Sequence, residues 1–210
     1  MFYRTSEGSG LKHDPLNALI IPRPIGWISS QDAAGNANLA PYSFFNAVAY
    51  HPPQVMFSAT GPHAMGGLKD TVRNIQETGE FVVNLATWAL REKVVASAVD
   101  APPEIDEFRY AGLTPVASEL VRPPRVKESP VHLECKLTRT VNLESDDPDI
   151  GNIVTFGRVI GIHIADWAIK DGKVDVVKLE PIARLGYTGY CRVTETFDID
   201  RPRWSVVGDE

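Results

Sequence analysis

The chain has 210 residues, 21 of them Lys or Arg and 27 Asp or Glu, for a formal charge of −6. That balance excludes a protein whose main task is gripping a nucleic-acid backbone, which needs a net basic surface. The 43% apolar and 23% charged fractions fit a folded domain and exclude a chain disordered along most of its length.

Gly and Pro, 16 residues of each, cut the sequence into short segments that favour strands over long helices. Apolar runs at 18–21 and 25–30 are separated by Pro22-Arg23-Pro24. Pro cannot donate to a ladder, so this break belongs at a sheet edge or a bulge. Turn residues at 31–36 lead into a hairpin partner over 38–49, His51-Pro52-Pro53 stops it, and 54–60 reads as a strand. Leu68, Val72 and Ile75 make one apolar stripe, which predicts a helix over 67–78 closed by a left-handed Gly79. A buried strand over 80–85 follows, then a helix capped by Thr87 and running to about Val99. Residues 100–130 are acidic and then Pro-rich, which suggests an irregular excursion. Over 131–138 apolar and polar residues alternate, predicting a strand with Cys135 on its dry face and His132 on its wet one. A polar turn at 145–151, a strand over 152–166 and a hairpin turn at 170–173 follow. The result is a mainly β chain with two or three short helices, and so many strands predict an antiparallel barrel that hides its edges.

No apolar run reaches the roughly 20 residues that span a bilayer. The opening Met1-Phe2-Tyr3-Arg4 lacks a secretion signal's apolar core. Cys135 and Cys191 are too few for a disulfide framework or a Cys-rich metal site. The expectation is one cytoplasmic domain over 1–210, away from membranes and nucleic acid and without a metal.

Several chemistries lack their signatures. There is no Gly-x-Ser-x-Gly nucleophile turn and no Gly-x-Gly-x-x-Gly after a strand. Residues 61–67 approach P-loop spacing, but Gly67 stands where the Lys belongs. His13, His51, His63, His132 and His163 show no ligand spacing, and His163, between Ile162 and Ile164, reads as a hydrogen-bonded core or interface residue.

Two clusters are more suggestive. Lys69 falls in the first turn of the predicted helix, where the dipole disfavours a cation, and Arg73 shares its face. A bound anion reverses both penalties, with free N–H groups, the Thr71 hydroxyl and the pliant Gly66-Gly67 beside it. The alternative is a solvated face with Arg73 paired to Glu77. Upstream, Ser29, Ser30, Asn38, Ser43 and Asn46 flank Ala40-Pro41-Tyr42. Small polar groups on adjacent strands can read the edge of a flat heterocycle, or serve only as hairpin chemistry. Together, a phosphate seat and a polar edge for a ring suit a mononucleotide such as FMN.

The residues that carry these clusters resemble a known family. Pro22-Arg23-Pro24-Ile25-Gly26-Trp27-Ile28-Ser29-Ser30 and Asn38-Leu39-Ala40-Pro41-Tyr42-Ser43-Phe44-Phe45-Asn46 are similar to the flavin reductase-like, FMN-binding split-barrel family. So are His51-Pro52-Pro53, Lys69-Asp70-Thr71-Val72-Arg73-Asn74-Ile75 and Glu80-Phe81-Val82-Val83-Asn84-Leu85, in order and spacing. The resemblance runs from about Pro15 to Arg192 and leaves 194–210 as an extension without a counterpart. It implies a six-stranded antiparallel Greek-key split barrel, a homodimer, and FMN near the subunit interface.

By position, the resemblance assigns Ser29 and Ser30 to the polar edge of the isoalloxazine and Asn38, Ala40, Pro41 and Ser43 to its ring, with Asn46 buttressing their loop. Ser58, Ala59, Lys69, Asp70, Thr71 and Asn74 would surround the ribityl phosphate, with Thr60, Arg73 and Tyr187 at the margin. The family carries no fixed catalytic acid, so none is nominated; His132 and His163 are candidates to assist a nicotinamide. The implied function is an FMN-dependent oxidoreductase that takes a hydride from NADH or NADPH and passes electrons to an acceptor such as a monooxygenase component. The alternatives are a flavoredoxin-like electron carrier, with the acidic 104–107 either a dock for its protein donor or only a solvated loop, and a non-redox FMN-binding protein.

Overall fold

The computed structural model describes residues 1–61, 66–102, 105–147 and 150–202. The run at 18–21 is not a strand: α1 (Leu16–Leu19) is a single helical turn. The Pro-Arg-Pro break does fall at a sheet edge. Arg23–Pro24 pairs antiparallel with Ile182–Arg184, which pairs in turn with Tyr190–Arg192, making a small three-stranded sheet.

The main sheet begins with β1 (Gly26–Gln31) and β2 (Ala37–Tyr42), a hairpin closed by the Asp32 carboxylate, which accepts from the Asn36 amide at 2.8 Å. It continues with β3 (Phe45–Tyr50) and β4 (Pro53–Thr60), joined through the His51-Pro52 turn. Then come α2 (Asp70–Thr78), β5 (Glu80–Leu85), α3 (Arg91–Ala96), α4 (Glu107–Tyr110), β6 (Val131–Leu143), β7 (Asn152–Ile164) and α5 (Val176–Leu179). Of the five α-helical segments among the described residues, only α2 and α3 exceed one turn, against the two or three short helices expected.

The seven strands lie in the order β2-β1-β5-β6-β7-β4-β3, all antiparallel. This order dictates the barrel. β2 and β3 stand at opposite edges, yet only Ser43 and Phe44 separate them in the chain. A flat sheet of this width would hold its edges roughly 29 Å apart, which so short a link cannot span at about 3.5 Å per residue. The sheet therefore curls until its edges meet at Ser43-Phe44, and the Ser58 amide carries the β3–β4 ladder onto the seam by donating to the Phe44 carbonyl at 2.8 Å. The one strand expected over 38–49 is thus broken at the seam, and each half serves a different edge. The step from β4 through α2 to β5 carries the chain across the barrel, a Greek-key connection.

Two apolar clusters hold the sheet. Inside the barrel, Phe57, Phe81, Val72, Ile75 and Cys135 pack with Val159. Gly157 lies against Phe81, where a Cβ would meet the ring Cζ at 2.3 Å. Outside, Trp27, Leu39, Phe108 and Val126 form a second cluster under α3, α4 and the 100–130 excursion. β1 and β5 are consequently buried on both faces, which explains why Trp27-Ile28 and Phe81-Val82-Val83 do not alternate with polar residues.

That covering overturns one expectation. His132 and Glu134 sit on the face of β6 expected to be wet, yet they are 6% and 0% exposed. The excursion folds over them. Its strand pair Pro115–Val116 and Arg125–Val126, together with the segment between, supplies partners that the alternation in β6 cannot reveal. Two helix starts also differ. α2 begins at Asp70 with Lys69 as its N-cap, so Lys69 does not lie inside the first turn. Thr87 makes no side-chain cap bond; a 3-10 turn over Trp88–Leu90 leads into α3, which ends at Ala96. The 170–173 hairpin turn forms as expected, with Asp171 and Gly172 at φ 51° and 73°.

Candidate functional site

The seam opens into a cleft of about 780 Å³, within the range of small-molecule sites. Pro41, Tyr42, Ser43 and Phe44 of the seam form one wall, with Ser58 and Thr60 of β4. Lys69 reaches it from the N-cap of α2. Lys12 and His13 of the N-terminal segment, Arg23, and Arg184, Tyr187 and Tyr190 of the small sheet close the far side. A narrow recess of about 130 Å³ shares Pro41, Tyr42 and Lys69 with the cleft and is lined by Asn38, Ala40, Asp70, Thr71 and Glu107.

The sequence-predicted residues therefore fall into three groups. Pro41, Ser43, Ser58 and Lys69 line the cleft, as do the marginal candidates Thr60 and Tyr187. Asn38, Ala40, Asp70 and Thr71 line the recess. Ser29, Ser30, Ala59, Asn46 and Asn74 line neither. Ser29 is wholly buried, donating to the Pro124 carbonyl at 2.5 Å and accepting from Asn84 at 3.2 Å. Ser30 accepts from the Asn74 amide at 3.3 Å, and Asn38 donates to the Thr71 hydroxyl at 2.9 Å. These are buried polar rungs that seat α2 on the β1–β2 hairpin, and so fix where Lys69 stands. Asn46 is exposed on β3, its side-chain oxygen accepting from the Ala47 amide.

The two cations of α2 are not left facing each other. Lys69 Nζ lies 3.5 Å from Asp100, and Arg73 pairs with Asp70, not with Glu77. The recess is acidic. Glu107 is buried, accepts from the Leu39 amide at 3.1 Å, and is pushed up by burial, with Asp70 adding to the shift. Burial likewise pushes the Tyr42 phenol up to about 12. The cleft, with Lys12, Arg23, Lys69 and Arg184 against Asp14, is basic. An anionic ligand is therefore favoured in the cleft and opposed in the recess.

His132 and His163 line neither cavity. His163 Nε2 lies 2.6 Å from Glu134 and its Nδ1 3.0 Å from Arg125, so it links β7 to the excursion. His132 Nε2 contacts the Val126 carbonyl at 2.8 Å, and burial lowers its pKa. The described part of the acidic 104–107 stretch is mixed, with Ile105 and Asp106 exposed. Asp106 caps α4, Glu107 is buried, and Glu104, like His63, lies outside the described residues. Cys135 is buried, and burial pushes its thiol up. Among the described residues no cluster is placed to hold a metal ion, and no helix is long and apolar enough to cross a membrane.

Sequence reasoning missed Lys12, Arg23, Tyr42 and Arg184. Arg23 and Tyr42 lie within the 22–30 and 38–46 segments. Lys12 and Arg184 come from the chain's two ends, which only the folded sheet brings together.

Residues 18–171 match the profile of the flavin reductase like domain. The protein BH2278 of Halalkalibacterium halodurans is 39% identical over 87% of this chain and 87% of its own length. Among solved structures, nitrilotriacetate monooxygenase component B from Bacillus cereus superposes with TM-score 0.85 at 33% identity, covering 95% of this chain and 98% of that one. The 2-nitrobenzoate 2-nitroreductase NbaA of Pseudomonas fluorescens superposes with TM-score 0.82 at 27% identity, covering 96% of each chain.

Proposed function

Because the chain belongs to the flavin reductase-like domain family, we propose that it is an oxidoreductase holding FMN in the seam cleft and passing electrons from NADH or NADPH to a second acceptor. The observation that carries this is the basic cleft itself, where aromatic and cationic side chains converge on a sheet seam in a chain of net charge −6. The donor set fits the group. Lys69 offers a charge to a phosphate beside the start of α2, while Pro41, Tyr42, Ser43 and Phe44 offer a flat wall with main-chain groups to a ring. Bound there, FMN would supply the redox chemistry, taking a hydride from a nicotinamide and giving up electrons to the acceptor. The chain's own work is to place the ring, neutralise the phosphate and shelter the cleft, which needs no catalytic acid. The relatedness to a monooxygenase component B supports an acceptor that is, or serves, a second protein.

The homodimer belongs to the same reading. β3 is an edge strand with Val48 and Tyr50 bare. An apolar groove of about 520 Å³, walled by Val48, Met56, Val154 and Phe156, adjoins the cleft at Phe44 and Ser58. A second copy seated there would close the open side of the cleft. Sedimentation of the FMN-loaded protein should therefore give twice the 23.1 kDa chain mass.

Lys69→Ala should weaken FMN binding by about 1.5–3 kcal/mol, the worth of a charge-assisted hydrogen bond, while leaving riboflavin binding almost unchanged. Quenching of flavin fluorescence reads both. Equal losses for the two flavins would place the phosphate elsewhere. NADH or NADPH oxidation by the FMN-loaded protein tests the enzyme; reduction only by a protein donor would favour the electron carrier.

A further inference from the structure

Arg23 and Arg184 stand directly opposite each other across the antiparallel pair that joins Arg23–Pro24 to Ile182–Arg184. Like charges in that position repel and destabilise the pairing. Arg23 is also 7% exposed, and burial lowers its pKa, with Arg184 adding to the shift. Its guanidinium donates to the carbonyls of Asn17, Ile20 and Leu185, and its buried Nε has no partner. Arg184 donates to Tyr190 Oη at 2.5 Å and to the Tyr187 carbonyl. Among the described residues neither arginine is met by a carboxylate. Both line the cleft with Lys12, and the acid on that wall, Asp14, accepts from the Leu16 amide.

Carbonyl dipoles orient these guanidiniums without neutralising them. What would turn their repulsion into a gain is a multiply charged anion lying between them. Aromatic rings stand beside the pair. Tyr187 holds a left-handed φ of 56°, uncommon for a non-glycine residue, and packs on His13 with ring centroids 5.5 Å apart. Phosphate chemistry next to exposed ring faces is the recognition pattern of a nucleotide.

The geometry points to a second anion seat in the cleft, built by Arg23, Arg184 and Lys12 and separate from Lys69, that holds a phosphate of the adenylate half of the nicotinamide nucleotide. This rests on the proposal that FMN occupies the same cleft with its own phosphate at Lys69. The seat's phosphate could be the pyrophosphate common to NADH and NADPH, or the 2′-phosphate that only NADPH carries; both present the same charge-assisted acceptors.

The test is calorimetric titration of ADP-ribose and of 2′-phospho-ADP-ribose into the FMN-loaded protein, wild type and Arg184→Gln, with FMN and riboflavin affinities measured separately on each. The expected result is that Arg184→Gln weakens nucleotide binding roughly tenfold or more, far more than it weakens FMN binding, whose phosphate rests on Lys69, and that Arg184→Lys, which keeps the charge, recovers part of the loss. Weakening of both nucleotides assigns the seat to the pyrophosphate; weakening of the 2′-phosphorylated one alone assigns it to the 2′-phosphate and predicts a preference for NADPH. Unchanged nucleotide affinities with intact FMN binding overturn the seat and leave the flavin reading standing. A loss of FMN affinity without a loss for riboflavin also overturns it, since the arginines would then hold the flavin's own phosphate. A wild type that binds neither flavin defeats the parent reading and the seat with it. Thermal melts of both variants identify any loss that comes from unfolding, and in that case the Lys variant decides.

Discussion

Replacing Glu134 by Ala should destabilise the fold by about 3–5 kcal/mol, the usual cost of stripping one partner from a buried charged network. The Glu134 carboxylate is 0% exposed. It accepts from the amides of Glu119 at 2.9 Å and Leu120 at 2.6 Å, and from His163 Nε2 at 2.6 Å. Without it, three N–H groups are left inside the protein with no acceptor, and the excursion over β6 loses its anchor. Urea denaturation reads the change, and a loss under about 1 kcal/mol would mean that water replaces the carboxylate and that the network is not closed.

The same group sets a pH dependence. Burial alone would raise the Glu134 pKa, but the Glu119 amide, His163 and the Leu120 amide outweigh it and hold the value below the ordinary carboxylate range. For a carboxyl depressed in the folded state, the stabilisation is complete above the unfolded value of about 4.3 and disappears as the pH falls through the lower folded value. Glu80 acts in the same direction: burial raises it, but Lys136 and the Arg122 amide bring it below its ordinary value. Midpoints of urea unfolding should therefore fall steeply below about pH 4, and less steeply in Glu134→Gln.

Phe81→Ala should cost a similar 3–5 kcal/mol. The ring is fully buried and meets Phe57 edge-on at 5.9 Å. It also fills the space that a side chain at position 157 would need. A Cβ there would lie 2.3 Å from Phe81 Cζ and 2.5 Å from Cε1. Gly157→Ala alone should thus cost about 1–3 kcal/mol by overpacking. Combined with Phe81→Ala it should cost less than the sum, because the new methyl enters the vacated space. A coupling of at least about 1 kcal/mol is expected; strict additivity would mean that the ring moves aside for the methyl at little cost.

Local pattern made much of the fold legible. The 31–36 turn, the 80–85 strand and the 170–173 hairpin turn are set by neighbours in sequence, and they stand where turn residues and apolar runs place them. What local pattern misread depends on distant chain. The alternation in 131–138 gives a strand but cannot tell which face the excursion will cover, so His132 and Glu134 read as wet. Ser29 and Ser30 read as polar groups free for a ligand, although Pro124 and Asn74 engage them. The cleft was legible on the side built by 41–44 and Lys69, where its residues are close in sequence. Its other side, from Lys12 to Tyr190, depends on a three-stranded sheet whose members are far apart in the chain.

The join at Ser43-Phe44 has a thermodynamic corollary. Since β2 and β3 are consecutive in the chain yet bound to opposite borders of the sheet, a molecule lodged between them acts as a clasp on the whole cylinder. Its binding energy should be shared by both borders, so that amide exchange slows together along β2 and β3, and the buried strands opposite, whose amides open only with the whole cylinder, slow with them.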